Sequence, residues 1–328
     1  MSAAGTPGRP PEEADVARLR TVEIASRMNK VSAGAFAAEP AAGRSFRDFL
    51  DGLPSILEAD SFRAIARGVA DAVRARKGVV WLLGGHTVKT GLSPVLIRMI
   101  ERGAATFLAG NGSVAIHDYE MARWGATSED VEAGLADGTF GMAEETGREM
   151  NEAIVAGAAR GMGMGRALGW ALSERRDLKA PELSVLLAAY RQGIGFGVHA
   201  AIGCEIIHQH PAADGAAIGA TSMRDFRMMA GYLPAIHEGG LVLNVGSAVV
   251  MPEVFLKALA MARNLNDGAP RSFDTADFDM IRHYRPRMNV VVRPTRTGGG
   301  SGYQITGHHE IMIPMLAWAI EEYLSGSA

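Results

Sequence analysis

Between Leu57 and Arg76 the chain sets apolar side chains at Phe62, Ile65, Ala66, Val69, Ala72 and Val73, three and four residues apart. That spacing predicts a helix with one buried stripe. The next run, Val79-Val80-Trp81-Leu82-Leu83, is continuous rather than alternating, as in a strand covered on both faces of a parallel sheet. It empties into Gly84 to Gly91, after which Ser93, read as an N-cap, and Pro94 open a helix carrying Leu96, Met99 and Ile100. Ala105 to Ala109 predicts a second strand, ending in Gly110-Asn111-Gly112-Ser113. Strand, glycine turn, helix, strand and glycine turn make a βαβ unit.

Thr127 to Asp130 resembles a capping box, Ala143 to Ala159 and Pro181 to Arg191 read as helices, and Phe196 to Ile202 reads as a third strand. Ser222 is read as the cap of a helix towards His237. Leu241 to Val245 is a fourth strand, Pro252 opens a helix, Asn289 to Val292 is a fifth strand, and Glu310 to Tyr323 is a last amphipathic helix. The alternation predicts an α/β fold, Rossmann-like and doubly wound, with a mostly parallel sheet and helices on both faces. Residues 1–20 read as a disordered leader and 21–328 as one α/β domain.

Composition narrows the function classes. Of 328 residues, 48% are hydrophobic and 21% charged, with a net charge of −3, so the basic stripe of a nucleic-acid binder is missing. No apolar run reaches about 18 residues, which excludes a membrane-spanning helix. The single cysteine, Cys204, rules out an intrachain disulfide, and with no signal peptide in the first residues the expectation is a cytoplasmic protein.

In an open parallel sheet, ligands lie outside the carboxyl ends of the strands. Small residues gather there: Gly85, Thr90 and Gly91; Gly110, Asn111 and Gly112; Gly246 and Ser247. The string His117-Asp118-Tyr119-Glu120 puts an imidazole beside two carboxylates and suits a proton-transfer base, metal ligands or ribose acceptors. His199, His208 and His210, followed by Asp214-Gly215, form the densest histidine cluster, which reads as polar ligand contacts or as a zinc or manganese site. Thr297 to Tyr303 lacks the Lys-Ser/Thr of a P-loop and reads as a mobile loop, and His308-His309-Glu310 as the cap of the last helix.

The order of these strand ends resembles the deoxyhypusine synthase family. Leu83 to Ser93 is similar to its first NAD turn, Gly110 to Gly112 to its second, Asp214-Gly215 to its Asp-Gly segment, and Gly246 to Val250 to its triple-Gly turn. The resemblance implies a Rossmann-like NAD-binding transferase that handles a polyamine and assembles as a homo-oligomer, dimer or tetramer. This chain departs from the pattern at Met251-Pro252-Glu253, where the family has Lys-His-His, and it has no lysine after Lys257 to serve as the imine-forming residue. It therefore resembles a divergent member rather than a true deoxyhypusine synthase. The expectation is an NAD-dependent enzyme acting on a small amine or polar metabolite. Gly85, Thr90, Gly91, Gly110, Asn111, Gly112, Asp214, Gly215, Gly246 and Ser247 would hold the cofactor, and His117, Asp118, His208 and His210 would move protons. The alternatives are a metal-dependent hydrolase or lyase using His199, His208, His210 and Asp214, and a non-catalytic ligand-binding relative. The apolar stretch Ala153 to Leu172 reads as a subunit interface.

Overall fold

The computed structural model describes residues 12–326. Of the expected leader, 1–11 lies outside the described residues, and 12–20 is exposed with a single 3-10 turn at Val16–Arg18. Six strands form one parallel sheet: β1 Val79–Leu83, β2 Phe107–Asn111, β3 Gly195–His199, β4 Leu241–Val245, β5 Asp274–Asp279 and β6 Gly302–Thr306. Their order is β3-β2-β1-β4-β5-β6. The chain walks outward from β1 to β3, then returns to the centre and walks the other way. The reversal falls between β1 and β4, where a doubly wound sheet opens its ligand crevice.

The helices are α1 Phe46–Gly52, α2 Leu57–Arg74, α3 Gly85–Lys89, α4 Ser93–Glu101, α5 Gly112–Trp124, α6 Val131–Asp137, α7 Glu144–Ala159, α8 Met164–Ser173, α9 Val185–Gln192, α10 Gly215–Tyr232, α11 Val250–Leu265, α12 Tyr284–Pro286, α13 Arg293–Arg296 and α14 His309–Ser325. Every residue of β1 is buried, because Trp81 and Leu83 face the α2 and α14 layer while Val80 and Leu82 face the α10 and α11 layer. Burial on both faces is what the continuous apolar run required. Trp81 brings a polar atom into that core, and its Nε1 donates to the Ala104 carbonyl at 2.8 Å.

Several expectations are corrected. Asn289 to Val292 is a π-helical turn, Arg287–Val292, between α12 and α13. Its valines are β-branched, yet Val290 packs into the α11 side of the core and Asn289 donates to Glu253 Oε1 at 2.9 Å. Ser222 lies inside α10, whose true N-cap is Asp214, accepting from Ala216 N and Ala217 N. Thr127 is not a cap; Asp130 caps α6 by accepting from Ala133 N at 3.1 Å. Ser93 is the first residue of α4, with Leu92 as the cap, and the glycine turn after β1 coils into α3. The apolar excess of Ala153 to Leu172 is largely absorbed inside the chain, where Ile154, Met164, Ala167, Leu168 and Leu172 are buried.

β5 and β6 escaped the apolar reading because they carry polar side chains into the interior. Asn244, Asp277 and Gln304 stand in register across β4, β5 and β6. Asn244 Nδ2 donates to Asp277 Oδ1 at 2.8 Å, and Gln304 Nε2 donates to Oδ2 at 3.3 Å. Burial pushes the Asp277 carboxyl up to about 6 against these hydrogen bonds.

Candidate functional site

At the switch point the turns after β1 and β4 touch. A Cβ added to Gly84 would stand 1.9 Å from the Gly246 carbonyl oxygen, so only glycine lets the two backbones meet. Gly246 itself has φ +69 and lies under the His309 ring, 3.0 Å from where its own Cβ would be. His309 begins α14 and is buried. Its Nε2 is 3.1 Å from the Phe278 carbonyl and must donate to it, which leaves Nδ1 as an acceptor. That Nδ1 is buried without a hydrogen-bond partner, and the exposed His86 ring lies edge-on with centroids 5.7 Å apart.

Beside the switch point, α5 lines a cavity of about 250 Å³ with Lys89, Phe140 and the Cys204 to Ile206 segment. His117 and Glu120 are one helical turn apart on α5 and share a face. Thr127 links them: its Oγ1 donates to Glu120 Oε2 at 2.6 Å and is 2.8 Å from His117 Nδ1. A threonine hydroxyl has one proton, and the carboxylate takes it. His117 Nδ1 therefore donates to Oγ1, and Nε2 is the ring's free acceptor. Burial lowers the His117 pKa, Glu120 opposing and Lys89 adding to the effect. At neutral pH the cavity thus holds an uncharged imidazole with its basic nitrogen free.

The neighbouring carboxylate has another task. Asp118 points about 100° around the helix from His117 and is fully buried. It accepts from Ser184 Oγ at 2.6 Å and from the amides of Val185 and Leu186 at 2.6 and 3.2 Å, holding the N-terminus of α9. Burial pushes it up to about 6. Both oxygens are committed to bracing α9, which leaves neither free to take a proton from a ligand.

The histidine cluster disperses. His199 ends β3, buried, with burial lowering its pKa to about 4 and Nε2 unpartnered. His208 Nδ1 accepts from Gly203 N at 3.2 Å and lies 3.2 Å from Glu205 Oε2. His210 Nε2 meets Glu144 Oε2 at 3.0 Å, its ring packed where a Cβ on Gly147 would fall. Asp214 caps α10 from an exposed position. Among the described residues no group of three or more His, Cys, Asp or Glu is arranged to hold a metal ion, so the alternative metal set does not converge.

Three of the six expected cofactor glycines are filled by neighbouring side chains. A Cβ on Gly85 would stand 2.1 Å from Ser113 Oγ, one on Gly110 2.8 Å from Val114, and one on Gly112 2.3 Å from Glu205 Cγ. Asn111 accepts from Ser113 Oγ and Thr90 Oγ1 donates to the His86 carbonyl. The buried Glu205 accepts from Gly112 N and Ala201 N, placing a carboxylate at the N-terminus of α5 where an incoming anion would otherwise be favoured. Burial raises its pKa. Gly91 and Gly215 have nothing within 4 Å, and Ser247 Oγ accepts from Met251 N. Thr127 was read only as part of a capping box, and His309 only as the cap of the last helix.

No family model matches the chain, and no curated protein matches it. Solved structures similar in outline include a "conserved putative LOR/SDH protein" from Methanococcus maripaludis S2, with a TM-score of 0.49, 16% identity and coverage of 80% of this chain and 69% of that one. A "putative deoxyhypusine synthase" from Entamoeba histolytica has a TM-score of 0.49 and 9% identity over 84% of this chain and 93% of that one. AgrE in complex with ornithine and NAD+ has a TM-score of 0.47 and 16% identity over 80% of this chain. The chain spans about a third of the matched ArgZ and AgrE chains, 34% and 33%.

Proposed function

We propose that this chain is an enzyme that holds NAD at the switch point between β1 and β4 and acts on a small amine or other polar metabolite, with His117 as the base. The observation that carries the reading is the strand order with its contacting Gly84 and Gly246 turns, the arrangement that receives a dinucleotide in doubly wound sheets. The fit of the residues supports it on one side only. The His309 ring covers Gly246 with its Nε2 side, and its buried, unpartnered Nδ1 is an acceptor that a ribose hydroxyl would satisfy on reaching it. At α5, Glu205 fills the position a phosphate would need, so Gly110 to Gly112 would stay outside the phosphate contacts. NAD when bound supplies the hydride acceptor. His117 Nε2 takes the proton from the substrate's hydroxyl or amine, and Glu120, through Thr127, stabilises the imidazolium that results. Such a step needs no imine-forming lysine.

Titration calorimetry of the full chain with NAD tests this. Binding that weakens in His309→Ala supports the assignment, and no heat at millimolar NAD overturns it. Self-association remains part of the proposal, resting on exposed apolar side chains such as Leu19, Ile24, Met28, Phe36 and Trp318. A solution mass equal to one chain would remove it.

A further inference from the structure

On the opposite, amino edge of the sheet, two adjoining cavities of about 390 and 340 Å³ share Arg166 and Met228 as common walls. The first is walled by Tyr190, Arg191 and Gly195 at the start of β3, and the second by Arg160, Gly161 and Arg224. Roughly 13 Å of strand separates Gly195 from His199 at the carboxyl edge, so this cleft is distinct from the His117 cavity.

The charge here is one-sided. The guanidinium groups of Arg166, Arg191 and Arg224 make no hydrogen bond or ion pair among the described residues, whereas Arg123, Arg175, Arg98 and Arg282 are all paired with carboxylates. Arg160 is held over the Trp170 ring, 4.4 Å from its centroid, and donates to the Ala156 carbonyl. Arg160 and Arg191 close α7 and α9, where helix carbonyls favour a cation. Arg166 has no such reason to be where it is. It lies in the first turn of α8, the end of a helix that disfavours a cation. Arg224 sits mid-helix in α10, its terminal nitrogens 3.5 Å from where a Cβ on Gly161 would stand. The adjacent acid on α10, Asp225, is fully buried behind Gly163, and its Oδ2 is taken by the amides of Gly165 and Val198. Its charge acts on Arg224 through the wall, but it makes no ion pair with any of these guanidiniums.

Unpaired arginines around a concave surface of small-molecule size are a geometry for a multiply charged anion, since guanidinium forks match phosphate oxygens two at a time. We infer that the Arg160–Arg166–Arg191–Arg224 cleft is a second ligand site, taking a small phosphate-bearing metabolite independently of the carboxyl-edge crevice. Exposed Gly161 keeps the rim free of a side chain, while Gly163 and Gly165 pack against Asp225 and the Phe196 carbonyl, and Tyr190 supplies an uncharged wall.

Inorganic pyrophosphate is the probe, titrated into the full chain at low and at moderate salt. The site predicts saturable binding that weakens as salt rises, and a loss of at least about tenfold for Arg166→Ala and again for Arg224→Ala. Both side chains are exposed and unpaired, so the melting temperature without ligand should be unchanged in the variants. His309→Ala should leave pyrophosphate binding intact, and Arg166→Ala with Arg224→Ala should leave NAD binding intact. Absence of pyrophosphate binding overturns the proposal. So does binding that survives the double arginine variant or disappears with His309→Ala, because the anion would then occupy the switch point instead.

Discussion

Gly84 and Gly246 meet so closely that no side chain fits between them: a Cβ on Gly84 would fall 1.9 Å from the Gly246 carbonyl oxygen and 2.5 Å from its carbonyl carbon. The obstacle is backbone anchored in the two central strands, which cannot rotate aside. Gly84→Ala should therefore cost at least about 3 kcal/mol, the upper range for overpacking. Gly215→Ala, at the first position of α10 with open space around it, should be neutral or stabilising by about 0.5 kcal/mol. Urea midpoints of the two variants give the comparison, and equal midpoints would contradict it.

Asp118 joins α5 to α9. Removing its carboxylate in Asp118→Ala leaves the Val185 and Leu186 amides without their acceptor in the core, at an expected cost of about 3 kcal/mol. NAD affinity measured on the folded fraction should not change. A variant that is fully stable but loses NAD would return Asp118 to the binding site.

The His117 titration can be followed directly by NMR. Its midpoint should lie below the ordinary histidine value because burial disfavours the imidazolium. Glu120→Gln should lower it further, since the Glu120 charge is what supports the protonated ring. A midpoint that rises in Glu120→Gln would break the relay.

Asp225 and His199 act in opposite directions on stability. The Asp225 carboxyl, raised by burial to about 7, binds a proton in the folded chain that the unfolded chain has already released, so its contribution falls as pH climbs from about 4 to 7. His199, lowered to about 4, is neutral when folded and charged when unfolded below its ordinary value, so its contribution is lost as pH falls through that range. Asp225→Asn removes the first effect and leaves the second. Unfolding free energies between pH 4 and 7 should thus rise more steeply with pH in the variant than in the parent, and parallel curves would refute the assignment.

How much of this could be read from the chain alone differs from one element to the next. β1 and β4 were legible because both their faces are covered, which demands an unbroken apolar run. β5 was invisible because Asp274-Thr275-Ala276-Asp277-Phe278-Asp279 carries buried acids that only neighbouring strands satisfy. The valines at 290–292 gave a false strand because local propensity is overruled by packing against α11. In the candidate site, His117 was legible from its place after a strand end. Thr127, which determines the imidazole tautomer, is ten positions away across a turn and was legible only as a capping-box residue, a role the structure gives to Asp130. Of the six glycines expected to face a cofactor, Gly85, Gly110 and Gly112 accommodate Ser113, Val114 and Glu205, packing that no sequence spacing announces.

The polar row of Asn244, Asp277 and Gln304 has a consequence for how the sheet assembles. Hydrophobic contact alone tolerates several alignments of neighbouring strands, since one leucine replaces another at modest loss. An interior carboxyl does not: slide β5 by a single residue and Asp277 turns to the opposite face, towards the aliphatic α2 and α14 layer, with neither amide in reach. The same acid that hid the strand from a reading of hydrophobicity thereby discriminates against misaligned pairings during folding.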